Sequence, residues 1–135
     1  MVLLDTGPLV AYLNSRDQHH SWAVEQFRIC PAPYYTCEAV LTETDHLLEK
    51  ANVQTNVVFE ALRSGALKIG FSVAEDWSSI ERLKNIYKDV PISLADACLV
   101  RMAELNDGAK VMTLDSDFRV YRKHRRHDIP LISNL

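Results

Sequence analysis

Short apolar runs alternate along this chain with longer stretches in which apolar residues recur at the helical period. "VLLD", "YYTC", "LKIGFS", "KVMTLD" and "IPLIS" read as strands, being brief apolar runs, several of them rich in β-branched or aromatic residues. Between and after them, the spacing predicts helices over residues 7–14, 19–29, 37–50, 52–64, 74–88, 94–106 and 117–124. The punctuation agrees: Pro8 suits a first helical turn, Ser93 precedes an apolar helical pattern as an N-cap does, and Gly65 and Gly108 suit C-terminal stops. Strands alternating with helices predict an α/β sandwich around a mostly parallel sheet. No repeat, low-complexity tract or long Gly/Ser/Pro linker interrupts the pattern, so residues 1–135 are expected to form one domain.

In an open parallel sheet, ligands bind in the crevice outside the carboxyl ends of the strands. Two acids fall there, Asp5 after the first apolar run and Asp115 after "KVMTL". Two more interrupt apolar helix faces. Glu43 falls within the stripe set by Val40, Leu41, Leu47 and Leu48, and Asp96 shares a face with Leu99, Val100 and Ala103. Each has an ordinary explanation when taken singly. Asp5 can cap the helix near Pro8, Asp96 can form a variant capping box with Ser93, Asp115 can support a turn, and Glu43 can pair with a cation.

Together at one crevice, four carboxylates repel one another, and burying such charge is costly without cations or hydrogen bonds. An all-oxygen cluster without cysteine or histidine favours Mg2+ or Mn2+ over zinc. A pair of such ions supports metal-assisted hydrolysis of a phosphodiester. The histidine pairs His124/His127 and His19/His20 lack a third zinc ligand at a diagnostic spacing, and no glycine-rich phosphate loop is present.

Composition narrows the class further. With 135 residues, 47% hydrophobic and 24% charged, the chain can build a real core. Its three cysteines are widely spaced and odd in number, which suits reduced thiols better than a disulfide framework. No apolar stretch approaches 18 residues and the opening is too short for a signal peptide, so the expectation is a cytoplasmic protein that does not enter a membrane. A net charge of −3 gives no overall attraction to nucleic acid, yet Arg119, Arg122, Lys123, Arg125 and Arg126 crowd together just after Asp115 and Asp117. That run is either a solvated face or a local path for a phosphate backbone.

The segments "LLDTGPLVAYL", "YTCEAVLTETDHLL", "PISLADACLVRMAE" and "VMTLDSDF", in that order, resemble the motifs of PIN-domain ribonucleases, in particular the VapC-like toxins of toxin-antitoxin pairs. The resemblance runs from Val2 to the final "IPLIS". It implies a three-layer α/β/α sandwich, a Mg2+ or Mn2+ site, RNA as substrate, frequent homodimers and inhibition by a small antitoxin. It also implies roles: Asp5, Asp96 and Asp115 as metal ligands, Glu43 holding a second ion or orienting water, Asp117 as a less regular member, and Thr6 and Thr113 as accompanying hydroxyls. Two other readings stay open: a PIN-like module that binds RNA or a partner without turnover, and a metal-dependent nuclease acting on DNA or another phosphoester.

Overall fold

The five short apolar runs pair into one sheet, and in the computed structural model, which describes residues 1–135, every strand of that sheet runs parallel to its neighbours. In chain order the elements are β1 (Val2–Leu4), α1 (Thr6–Leu13), α2 (His20–Ile29), β2 (Tyr34–Thr36), α3 (Glu38–Lys50), α4 (Asn56–Ser64), β3 (Leu67–Ile69), α5 (Val73–Ile86), α6 (Leu94–Leu105) and β4 (Lys110–Met112). A 3-10 turn (Ser116–Arg119), β5 (Arg122–Lys123), β6 (His127–Asp128) and β7 (Leu131–Ile132) complete the chain. The sheet order is β3-β2-β1-β4-β7, and β5 and β6 form a separate antiparallel pair.

Side chains alternate across a strand, so a strand covered on both faces feeds two cores. Leu3 and Val111 join Ile80 and Leu83 of α5 and the apolar residues of α6 on one side. Leu4 and Met112 join Leu9 and Val10 of α1, Leu48 of α3 and Val58 of α4 on the other. This is the α/β sandwich with helices on both faces. Helix α6 is apolar almost all round, from Ala95 to Ala103, because it is buried almost all round. Truncating a fully buried member such as Leu99 to Ala would cost about 2–5 kcal/mol.

Ser93 and Gly65 cap where the sequence puts them, whereas α6 ends at Leu105 with Asn106 as its cap, two residues before Gly108. Ser93 Oγ accepts the Asp96 N–H at 3.0 Å, and Gly65 ends α4 at φ +81°, a left-handed position that a side chain would strain. Helix α4 starts at Asn56 rather than at residue 52, because Asn52 turns left-handed at φ +57° and the Val53 N–H returns to the Leu48 carbonyl.

The expected helix over 117–124 does not form. One 3-10 turn is followed by a hairpin, because distant partners take the N–H groups a helix would have used. Arg122 N–H goes to the Tyr87 hydroxyl at 2.7 Å and His124 N–H to Glu104 Oε2 at 2.8 Å. Phe118, Tyr121 and Ile129 are buried against α5 and α6, which pins the segment extended. His124 and Arg125, at φ +52° and +66°, then close a mirror-type turn suited to hairpin twist.

Candidate metal-binding active site

From β1 the chain works outward through β2 to β3, then crosses back to β4, so β1 and β4 flank the point where strand order reverses. Crevices open at such points. The two strands stay zipped until the Asp5 N–H reaches the Met112 carbonyl at 3.1 Å, after which the chains diverge. Asp5 and Asp115 stand at that divergence.

Asp5, 6% exposed, caps α1, but its carboxylate has a second engagement. Oδ1 accepts the Thr6 N–H at 2.8 Å, while Oδ2 accepts the Thr113 hydroxyl at 2.7 Å. Each threonine also reaches a further acid. The Thr6 hydroxyl donates to Glu43 Oε1 at 3.0 Å, and Thr113 Oγ1 accepts the Asp115 N–H at 3.0 Å. Asp115 Oδ1 in turn accepts the Asp117 N–H at 2.9 Å and starts the 3-10 turn. Two hydroxyl and two backbone N–H hydrogen bonds therefore link Glu43, Thr6, Asp5, Thr113 and Asp115 in series.

Glu43 does not sit in the buried stripe of α3. The buried positions are Val40, Thr44 and Leu48, while Glu43 is exposed and Leu47 remains 41% exposed. The sequence hides this because Thr44 reads as polar, yet its hydroxyl returns to the Val40 carbonyl at 2.8 Å and is thereby satisfied inside. Glu43 flanks the stripe and opens on the cleft.

Asp96 lies in the first turn of α6, and its Oδ2 accepts the hydroxyl of Tyr121 at 3.1 Å. Tyr121 had no signal in the sequence, being 25 residues away in the basic run. The cleft, about 550 Å3, is lined by Asp5, Glu43, Asp96 and Asp115 with Thr6, Ser93, Ser116, Gly7 and Leu114. No lysine, arginine or histidine lines it. Gly7 and Leu114 meet across it: a Cβ on Gly7 would lie 3.3 Å from the Leu114 Cβ. Thr113 is fully buried behind Asp5, and Asp117 stands outside the lining.

Without a cation, like charges and burial work against ionisation. Burial pushes the Asp5 carboxyl up to about 7; the Thr113 and Thr6 hydrogen bonds oppose this, and the Asp96 and Glu43 charges add to it. Burial likewise takes Asp96 up to about 6, opposed by the Tyr121 bond and reinforced by Asp115 and Glu43. Burial, and then Asp96, hold the Tyr121 phenol protonated, so that it acts as a donor. In the side-chain positions of this structure no three acids, histidines or cysteines converge into a ready-made coordination set. The donor chemistry, carboxylate and hydroxyl oxygens with no nitrogen or sulfur, fits a hard divalent cation.

The basic residues are not gathered here. Arg119 donates to the Leu135 carbonyl; Arg122 Nη1 donates to the Arg119, Val120 and Tyr121 carbonyls, and its Nε pairs with Asp128 at 3.2 Å. Arg125 and Arg126 are exposed on the hairpin turn, and Lys123 is half-buried. The turn is anchored to Glu104, eight residues along α6 from Asp96, about 12 Å at the helical rise.

Among solved structures, the chain is similar to the crystal structure of Mycobacterium tuberculosis VapC20, titled a sarcin-ricin loop cleaving toxin. The TM-score is 0.77 and the identity 21%, over 89% of this chain and 94% of that one. No curated protein sequence matches the chain. The family model described as PIN domain matches residues 2–124, nearly the full length and all four cleft acids. The chain belongs to the PIN-domain family.

Proposed function

We propose that this chain is a Mg2+- or Mn2+-dependent endoribonuclease, a hydrolase of RNA phosphodiester bonds, and the toxin of a toxin-antitoxin pair. One observation carries the reading: four carboxylates share the switch-point cleft of a PIN fold, and no cationic side chain lines it. The likeness to VapC20 supports the toxin assignment and with it a small antitoxin and a second copy of this chain as partners, in the cytoplasm. One domain, residues 1–135, suffices for this reading.

In this reading Asp5, Asp96 and Asp115 hold the metal, Glu43 holds a second ion or orients the attacking water, and Asp117 stands in reserve. A hard divalent ion bound by these acids would supply Lewis-acid chemistry, activating water and stabilising the leaving oxygen. The chain's own contribution is placement. Thr113 fixes one oxygen of Asp5, and Thr6 ties Asp5 to Glu43, so neither acid swings independently. Lys123, Arg125 and Arg126 attract the RNA backbone that an acidic chain otherwise repels, whereas Arg119 and Arg122 serve the local fold.

The test is cleavage of cellular RNA by the purified chain with Mg2+, with Mn2+ and with EDTA, alongside DNA of matched sequence. Cleavage that needs the ion, spares DNA and falls at least about 100-fold in Asp5→Asn and Asp96→Asn is expected. RNA binding without turnover, indifferent to both substitutions, identifies a binding module instead; equal cutting of DNA changes the substrate class.

A further inference from the structure

The segment after Asp115 grips α6 at both ends. Near the helix C-terminus, Glu104 accepts the His124 N–H; near the N-terminus, Tyr121 donates to Asp96 Oδ2 at 3.1 Å. Tyr121 is fully buried, and its ring is held edge-on by Tyr87 and Phe118 with centroids 5.1 and 5.3 Å away. Its hydroxyl has two acceptors in reach, the Pro91 carbonyl at 3.4 Å and the Asp96 carboxylate, and the nearer, charged one is the stronger.

We propose that Tyr121 is a positioning residue, whose hydroxyl sets the rotation of the Asp96 carboxylate and so the strength with which the cleft binds a divalent cation. The inference rests on the metal-nuclease reading. The terminal torsion of an aspartate is broad, so a carboxylate without a directional partner samples many orientations. Asp5 avoids this through the Thr6 N–H and the Thr113 hydroxyl. Tyr121 does for Asp96 what Thr113 does for Asp5. A donor already immobilised between two rings fixes its acceptor at little further entropic cost. Groups that orient a metal ligand from behind are worth about 10- to 100-fold in metal affinity.

The experiment titrates Mn2+ alone into the full-length chain by calorimetry, and separately finds the Mn2+ concentration that gives half-maximal RNA cleavage. Tyr121→Phe keeps the ring and both edge contacts and removes only the hydroxyl. It is expected to weaken Mn2+ binding about tenfold and to raise the half-maximal concentration by the same factor. Tyr87→Phe is the packing control, because its hydroxyl accepts the Arg122 N–H without touching Asp96; it is expected to lower the melting temperature and leave Mn2+ affinity unchanged. In an Asp96→Asn background, Tyr121→Phe is expected to have no further effect on Mn2+ binding. Unchanged Mn2+ affinity in Tyr121→Phe, or equal losses in both tyrosine variants, overturns the positioning role. If Asp96→Asn itself leaves Mn2+ binding and cleavage intact, the metal-nuclease reading is what has failed.

Discussion

Glu104 and Asp5 are both buried acids, 7% and 6% exposed, with opposite surroundings. Glu104 accepts from Arg82 and Arg101, each at 3.3 Å, and from the His124 N–H; Arg101 is in turn steadied by Asp76 at 2.6 Å. Asp5 has an N–H and a hydroxyl, and beyond them the charges of Asp96 and Glu43. The fold can bring arginines to a buried carboxylate, and at the cleft it brings carboxylates instead. A fully partnered acid fastens elements together, whereas acids crowded without cations keep their capacity to bind one.

The sharpest way to break this contrast is to neutralise one acid of each kind. Asp5→Asn should abolish RNA cleavage, at least about 100-fold by gel assay, while the metal-free protein becomes more stable at pH 8 by about 1–3 kcal/mol in denaturant unfolding. Glu104→Gln should do the reverse. It should cost about 1–3 kcal/mol of stability by leaving Arg101 and Arg82 underpaired, with cleavage per folded molecule changed by less than about twofold.

The pH dependence of the metal-free protein follows from the same groups. Folded Asp5 binds its proton up to about pH 7 and Asp96 up to about 6, against 3.8 for both in an unfolded chain. The folded state therefore holds protons that the unfolded state has released, and stability falls as pH rises from about 4 through 7. Melting curves between pH 4 and 8 in EDTA should show this decline, and saturating Mn2+ should flatten it.

These expectations also mark what the sequence could reveal. The five strands were legible because each is a short apolar run, and Ser93, Gly65 and Pro8 marked helix ends through local backbone needs. Asp5 was legible as both cap and cleft acid, since a strand end fixes where it projects. The stripe of α3 is hidden from the sequence at Glu43, because the buried Thr44 is polar in type and satisfied only through its hydroxyl bond to the Val40 carbonyl. The basic run has a helical pattern but not a helix, because its decisive partners, the Tyr87 hydroxyl and the Glu104 carboxylate, lie 35 and 20 residues away. No window of local sequence contains them.

The smallest expected effect concerns the cations of that run. Arg122→Ala should cost about 1 kcal/mol, since its guanidinium caps three carbonyls. Arg125→Ala and Arg126→Ala should stay within about 0.5 kcal/mol of the parent. If those two face the RNA, the double variant should reduce the slope of log affinity against log salt by about 1.4, at about 0.7 per single-strand phosphate contact.

The contact between Gly7 and Leu114 gives the cleft a gauge. Asp5, Thr6 and Glu43 belong to one jaw, built from β1, α1 and α3; Thr113 and Asp115 belong to the other, at the end of β4. The jaws touch where Gly7 has no side chain, and one methyl there would meet the Leu114 Cβ at 3.3 Å and force the neighbour to give by a few tenths of an ångström. The absent side chain at Gly7 thus lets the two jaws close on each other, and Gly7→Ala is expected to spread the cleft acids by a few tenths of an ångström.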